Sequence, residues 1–298
     1  MLDVRRLRLL HELAQRGTLA EVAATLHQSP SSVSQQLAQL ERDVGTPLLR
    51  KVGRGVELTP AATVLVEHAA ALLQGLEDAE AAVAALADQA AGTVRLAAFQ
   101  SAAVAFMPQL LTHLAEHHPR VRVTMSQRVP EEALEAIRAR ELDLVIAVEY
   151  PGSAAPRYPE LRWAGLATDT LQLAVPRTGR WRDASSLADV ADAPWVMEPR
   201  PAYSRAWAEL ACRTAGFEPE VRYEVDDLET HAALVASGHA VAILPSLMTA
   251  RRSPDARLVA LAGAPRRTVH TVTRRAVADT PAIAACHAAL RAIVPREL

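Results

Sequence analysis

From Ala61 to Ala91 the chain contains one glycine, Gly75, and no proline. Along this stretch Leu65, Ala69, Leu72, Leu76, Ala79, Val83, Leu86 and Ala90 recur at alternating steps of four and three. Steps of that size put every one of these apolar side chains on one stripe of an α-helix. The sustained heptad spacing predicts a long helix that pairs with a second copy of itself. A helix packed on its own domain is the other reading of the stripe. The alanine-rich profile and the absence of any Lys or Arg favour pairing between chains. Ala91-Gly92 breaks the helix, which divides the 298 residues into a short segment before it and a long one after.

The short segment is helical at first. Leu7, Leu10 and Leu13, with Val4 and Ala14, give a helical stripe over Val4–Arg16, which Gly17 stops. Thr18 with Glu21 three residues later is a capping-box pattern for a second helix burying Leu19, Val22, Ala23 and Leu26. After a short turn at Gln28, Ser29 is an N-cap and Pro30 stands where a missing N–H costs nothing. The third helix is predicted over Pro30–Val44, with Val33, Leu37 and Leu40 buried and Gly45 at its end. Its opposite face presents Ser31, Ser32, Gln35 and Gln39, with Ser34 and Gln36 at the flanks. A merely solvated helix face usually carries Glu and Lys. Ser and Gln both donate and accept hydrogen bonds, which suits base edges and phosphates. The run from Pro47 to Thr59 then reads as a hairpin tipped by Gly53-Arg54-Gly55, with Arg50, Lys51 and Arg54 placed to meet phosphate. Two helices, a tight turn and a basic hairpin predict a winged helix-turn-helix that binds double-stranded DNA.

Bulk charge gives little help here. The net charge is −2. Residues 1–60 carry eight basic against six acidic side chains, and residues 61–92 carry five acidic and no basic ones. Cys212 and Cys286 fit no zinc or thioredoxin-like spacing and read as small buried thiols, with a redox switch as the alternative. His113, His117 and His118 lack an acidic or cysteine partner and read as surface residues, so no metal site is expected. No secretion signal or membrane span stands out, so the expected location is the cytoplasm and no membrane partner is expected.

The long segment alternates strands and helices. Strands are expected at Thr93–Phe99, Val121–Gln127 and Leu142–Val148, with helices at Ala102–His117 and Glu131–Arg140 between them. Shorter strands follow near Leu161–Leu166 and Leu171–Val175, then at Trp195–Met197, Glu220–Val225, Val241–Leu244 and Thr268–Thr273. Helices are expected near Tyr203–Ala215, Leu228–Ser237 and Pro281–Ile293. The fold class is therefore α/β overall: a mainly helical winged domain at 1–60, a linker helix at 61–91, and two α/β units in 92–298. The chain crosses between these units near Ala164–Thr170 and again near Leu261–Thr268.

The run Ser29-Pro30-Ser31-Ser32-Val33-Ser34-Gln35-Gln36-Leu37 through Leu40-Glu41 resembles the LysR-type transcriptional regulators. So do Gly45, Pro47-Leu48-Leu49, Arg54-Gly55-Val56 and Leu58-Thr59-Pro60-Ala61, collinear over the first sixty residues. Glu141-Leu142-Asp143-Leu144, Ala193-Pro194-Trp195 and the segment from Leu234 to Pro245 extend the resemblance along the whole chain. It implies a periplasmic-binding-protein-like domain, one lobe from 92–165 and 267–298 and the other from 166–266, that binds a small-molecule effector. It also implies a homodimer or homotetramer on a pseudo-palindromic operator, with RNA polymerase as a further partner. The family often carries Gln-Pro-Ala where this chain has Pro30-Ser31-Ser32, and an arginine in place of Gln35, so base readout by a glutamine at position 30 is absent. A redox-gated or ligand-independent DNA binder is the alternative function.

Ser31, Ser32, Ser34, Gln35, Arg50, Lys51 and Arg54 are the expected DNA contacts. Sheets of this kind bind ligands at strand C-termini, near helix N-termini. That rule selects Gln100, Ser101, Arg128 and Val129 in the first lobe. In the second it selects Tyr203, Ser204, Asp227, Thr230 and His239. Arg128 either pairs with an effector carboxylate or with a neighbour such as Glu131, and His239 either alters the pocket or sits at the surface. No nucleophile elbow, phosphate loop or zinc-protease helix is present, so no catalytic residue, enzyme activity or cofactor is expected beyond the effector.

Overall fold

The computed structural model describes residues 2–53, 55–84, 90–152, 156–249 and 254–295. These fall into two compact units that meet in sequence at Leu86 and Ala87.

The first unit holds α1 (Val4–Arg16), α2 (Leu19–Thr25), α3 (Pro30–Val44), β1 (Leu49–Val52), β2 (Gly55–Leu58) and α4 (Pro60–Ala84). Local chemistry sets its helix ends. Asp3 accepts from Arg5 N at 2.7 Å to start α1. Gly17 ends α1 at φ +81°, a left-handed conformation that costs other residues about 1 kcal/mol. Thr18 accepts from Glu21 N at 3.2 Å and its hydroxyl donates to Glu21 Oε2 at 2.8 Å, so this pair closes on itself at the start of α2. Ser29 caps α3 through Ser32 N at 3.2 Å. Leu7, Leu10, Leu13, Val22, Val33, Leu37 and Leu40 pack together beneath these helices.

In α4 the heptad stripe and the packing part company. Ala62, Ala69 and Leu73 are buried in this unit, with Leu65 and Val66 packed partly against its core. Leu65 and Ala69 therefore serve their own domain, as the intramolecular reading expects. Further along, Leu72 is 52% exposed, Leu76 47% and Val83 70%. The helix is described to Ala84, Leu86 lies outside the described residues, and Ala90 is non-helical and packs against the core of the second unit. Of the helix expected over 61–91, residues 85–89 lie outside the described residues, and Ala90 and Ala91 are non-helical.

The second unit begins with β3 (Gly92–Ala98), α5 (Gln100–His117), β4 (Val121–Gln127), α6 (Pro130–Arg138) and β5 (Leu144–Glu149). It continues through β6 (Leu161–Val175), β7 (Pro194–Met197), α7 (Tyr203–Thr214), β8 (Glu220–Glu224), α8 (Leu228–Ala236), β9 (Ala242–Pro245) and α9 (Ser246–Thr249). It ends with β10 (Arg257–Ala260), β11 (Arg266–Arg274) and α10 (Pro281–Ile293). Parallel β4, β3 and β5 lie side by side, and antiparallel β11 joins β5 to β6. The C-terminal half of β6 pairs with β9 and β10, and β7 pairs with β8. A parallel bridge between Trp195 and Val241 ties β7 to the segment just before β9. Two lobes result, with α5 and α10 over one face of the first sheet and α6 over the other. In the second lobe α7 and α8 pack in two separate cores.

The two short strands expected within 161–175 are one strand of 15 residues that runs through both lobes. Thr168-Asp169-Thr170 reads as a break because a strand interior rarely holds an unpaired carboxylate. Here Asp169 is satisfied: Oδ1 accepts from Ser246 Oγ at 2.6 Å and Leu247 N at 2.8 Å, and Oδ2 accepts from Arg267 Nε at 2.7 Å. The same ion pair admits Arg266 and Arg267 into β11, two residues ahead of its expected start.

Candidate nucleic-acid interface and candidate ligand cavity

In the first unit α3 turns Ser31, Ser34 and Gln35 outward, while Ser32 is half-buried. Ser32 Oγ accepts from Gln36 Nε2 at 3.2 Å, and the same nitrogen donates to Gln28 Oε1 at 2.9 Å, which ties the turn before α3 to the helix. Ser31 Oγ lies 2.9 Å from Ser29 Oγ. Among the described residues Ser34 and Gln35 have no internal side-chain hydrogen bond, so their polar groups face outward unspent. Gln39 is engaged within the helix, donating to Asp43 and accepting from Arg42.

The hairpin places Arg50 opposite Glu57 across β1 and β2, with Nη2 to Oε2 at 2.6 Å, so part of its charge is answered inside the wing. Lys51 is exposed and Arg54 lies outside the described residues. Sequence reasoning missed the residue that positions this wing. Glu41 on α3 accepts from Leu48 N at 2.8 Å and Leu49 N at 2.9 Å through a single oxygen. The recognition helix and the start of the hairpin are thereby fastened together. Glu41→Ala strips two partly buried N–H groups of their acceptor and is expected to cost about 1–3 kcal/mol, read as thermal unfolding, with a parallel loss of DNA affinity. Glu41→Gln keeps an acceptor oxygen and should lose less.

In the second unit a cavity of about 70 Å³ lies between the lobes. Five of the nine residues expected around a ligand line it: Gln100, Ser101, Val129, Tyr203 and Ser204. The other four do not. Arg128 donates to Glu141 at 3.3 Å and stands outside the cavity, and His239 is exposed. Asp227 is the N-cap of α8, accepting from Thr230 N at 3.0 Å and Thr230 Oγ at 2.6 Å, so this pair is spent on the helix start. Asp227 nevertheless acts at the cleft's edge. Gln100 Nε2 donates to Asp227 Oδ1, and Gln100 Oε1 accepts from Leu228 N at 2.8 Å, joining α5 of one lobe to α8 of the other. Glu131 Oε1 accepts from Tyr203 N at 2.6 Å and makes a second clasp, between α6 and α7.

Arg267, Glu131, Glu198, Tyr150 and His231 also line the cavity, and none was foreseen as a cavity group. Arg267 is buried, with Nη2 donating to Ser101 Oγ at 2.9 Å and Nη1 to Tyr150 Oη at 3.2 Å. Burial works against its charge, but Tyr150 and Asp169 outweigh that and raise its pKa. Burial pushes the Glu198 carboxyl up, against the Ser204 hydroxyl and the Arg267 charge. It pushes Glu131 up as well, and it lowers His231, whose Nε2 lies 2.7 Å from Val225 O.

The two thiols stand apart from this cavity. Cys286 is buried in a core of the first lobe and Cys212 in a core of the second, and burial pushes each up to about 12. Oxidation proceeds through the thiolate, so neither position favours a redox switch. His113 and His117 stack at 4.3 Å, and among the described residues no group of three metal-ligating side chains gathers. Among the same residues no helix is long and apolar enough to cross a membrane.

Comparison with known proteins matches both units. Residues 4–63 fit the family model for the bacterial regulatory helix-turn-helix protein, lysR family, and residues 87–294 fit that for the LysR substrate binding domain. Over 255 residues the chain is 27% identical to the transcriptional dual regulator GltC of Bacillus subtilis (strain 168), covering 85% of this chain and 84% of GltC. Full-length CbnR, solved in complex with its target DNA, is 26% identical with a TM-score of 0.53, covering 98% of this chain and 99% of CbnR. The fold also matches a full-length OxyR variant from Pseudomonas aeruginosa, at 19% identity and a TM-score of 0.70 over 99% of this chain and 100% of that one. With a reading head and a cleft domain matched in order along one chain, the protein belongs to the LysR family of DNA-binding transcriptional regulators.

Proposed function

We propose that α3 enters the major groove of a pseudo-palindromic operator and that a small molecule held between the lobes controls the outcome. The observation that carries this reading is the outward Ser34–Gln35 face on α3 in a chain that also holds a built cavity. Ser31, Ser32, Ser34 and Gln35 meet base edges and phosphates, and Arg50, Lys51 and Arg54 supply backbone attraction. A second copy pairs along the exposed part of α4, which sets two recognition helices about one DNA turn apart. Homodimer or homotetramer, the assembly works in the cytoplasm with RNA polymerase as a further partner, and it performs no chemistry on the effector.

The cavity of about 70 Å³ is small beside ordinary ligand sites of roughly 300–1,000 Å³, and two hydrogen-bonded clasps bridge the lobes beside it. Ligand access requires the Gln100–Leu228 and Glu131–Tyr203 clasps to part. An effector acts only through different affinities for the open and closed states.

Footprinting on the operator with and without a ligand found by calorimetry tests this. A ligand that binds while footprint and promoter output stay unchanged defeats the reading. The wing has its own signature. Lys51→Ala is expected to lower the slope of log affinity against log salt by about one without altering sequence preference. Arg50→Ala should lower it by less, because Glu57 already answers that charge.

A further inference from the structure

We infer that the cavity takes a compact apolar ligand bearing a protonated amine, its ammonium set against Glu131 and Glu198. The inference rests on the reading of this cavity as the effector site.

Among the described residues, two carboxyl groups at the cavity lack an ion-pair partner of their own, and burial pushes both up, so a cation beside them is what would hold them ionised. Two guanidinium groups line the cavity, and both are answered by carboxylates of their own. Arg267 holds Asp169, with Nη2 to Oδ2 at 2.6 Å. Arg205 holds Glu209 at 2.8 Å and Glu224 at 2.5 Å. Glu131 and Glu198 line the same cavity, and among the described residues neither forms a salt bridge. Glu131 spends Oε1 on Tyr203 N, while its Oε2 is buried with no hydrogen-bond partner. A buried acceptor left in that condition is costly, and a ligand donor would satisfy it. His231 does not supply the missing cation, since burial holds it toward the neutral form.

The remaining wall is apolar and aromatic. Phe99, Trp195, Met197 and Trp207 line the cavity with Tyr150. Aromatic faces attract cations as well as alkyl groups, so they suit an amine on a hydrocarbon body. An anion meets the opposite reception. It would face the Glu131 and Glu198 carboxyl groups, while Tyr203 N is already taken by Glu131 and Leu228 N by Gln100. The arginine that the sequence offered to a carboxylate, Arg128, is outside the cavity and bound to Glu141.

Three probes of one shape test the inference on the full chain by calorimetry: 3-methylbutylamine, 3-methylbutyrate and 3-methyl-1-butanol. The amine is expected to bind at least about tenfold more tightly than either other compound, as a charge-assisted hydrogen bond requires. Glu131→Gln and Glu198→Gln should each erode that preference while leaving the alcohol's binding in place. The inference is overturned if none of the three binds, if the acid or alcohol matches the amine, or if the preference survives both substitutions. Should a variant fail to fold, the ranking on the unaltered chain decides alone. An anionic metabolite that shifts the operator footprint would end this inference and leave the regulator reading standing. An amine that binds through the two glutamates yet never moves the footprint would do the reverse.

Discussion

A chain carrying Leu72→Glu together with Leu76→Glu is expected to be monomeric and to bind its operator about 100-fold more weakly or worse. Both side chains are exposed on α4, and with His68, Ala71 and Gly75 of the same helix and Val4 of α1 they line an open apolar groove. Two leucines left half-exposed on one helix gain about 1 kcal/mol or more each when a second copy covers them. Glutamates there would instead bring the carboxylates of both chains together along a paired helix seam, where like charges repel and burial is costly. A monomer keeps one reading head and loses the multiplication of affinity that comes from engaging two half-sites at once. Light scattering reports the assembly state and fluorescence anisotropy the affinity. Leu73→Ala is the contrast: Leu73 is buried within its own unit, so that change should lower thermal stability and leave the dimer intact. If the double glutamate variant remains dimeric, the exposed face of α4 is not the pairing surface.

The second large effect belongs to Arg267. Arg267→Met removes the cation in contact with Asp169, a side chain with 0% exposure, and leaves its charge buried. Breaking one side of such a pair typically costs about 3–5 kcal/mol. For a unit of this size that is a fall of roughly 10 °C or more in melting temperature. Asp169→Asn placed on top of Arg267→Met should recover part of the loss, because the amide still accepts from Ser246 and Leu247 without an unanswered charge. A double-mutant cycle by thermal denaturation measures the coupling. Additive losses would show that the two residues contribute separately, and that the geometry overstates their dependence on each other.

Arg267 also shows where sequence reading reaches its limit. The helix ends of the first unit were legible because their causes are local: Thr18 meets Glu21 and Ser29 meets Ser32, each within three residues. Gln100, Ser101, Val129, Tyr203 and Ser204 followed from a rule about strand and helix ends, which needs only the order of elements. Arg267 has its partner 98 residues away, and beside Arg266 it looks like a surface turn. Glu198 sits in Met197-Glu198-Pro199-Arg200, which has the composition of an exposed loop. Arg128 failed in the opposite direction. A cation just after a strand looks poised for a ligand, and nothing in the spacing reveals that Glu141 will claim it. The heptad stripe was legible only as one apolar row, and its spacing does not reveal that Leu65 and Ala69 pack into their own domain while Leu72, Leu76 and Val83 stay exposed.

The unbroken run of β6 through both lobes has a mechanical consequence. A protein hinged on a flexible loop can swing its halves widely at small cost. Here the connection is a hydrogen-bonded ribbon of β6 and β11, and a ribbon yields by torsion. Asp169 and Arg267 fasten its two strands together near the middle, close to the register shift between Val269 and His270. Whatever enters between the lobes must therefore work against a stiff element through a small angle. On the proposed reading, a small twist of this ribbon is what would carry ligand binding out of the cavity.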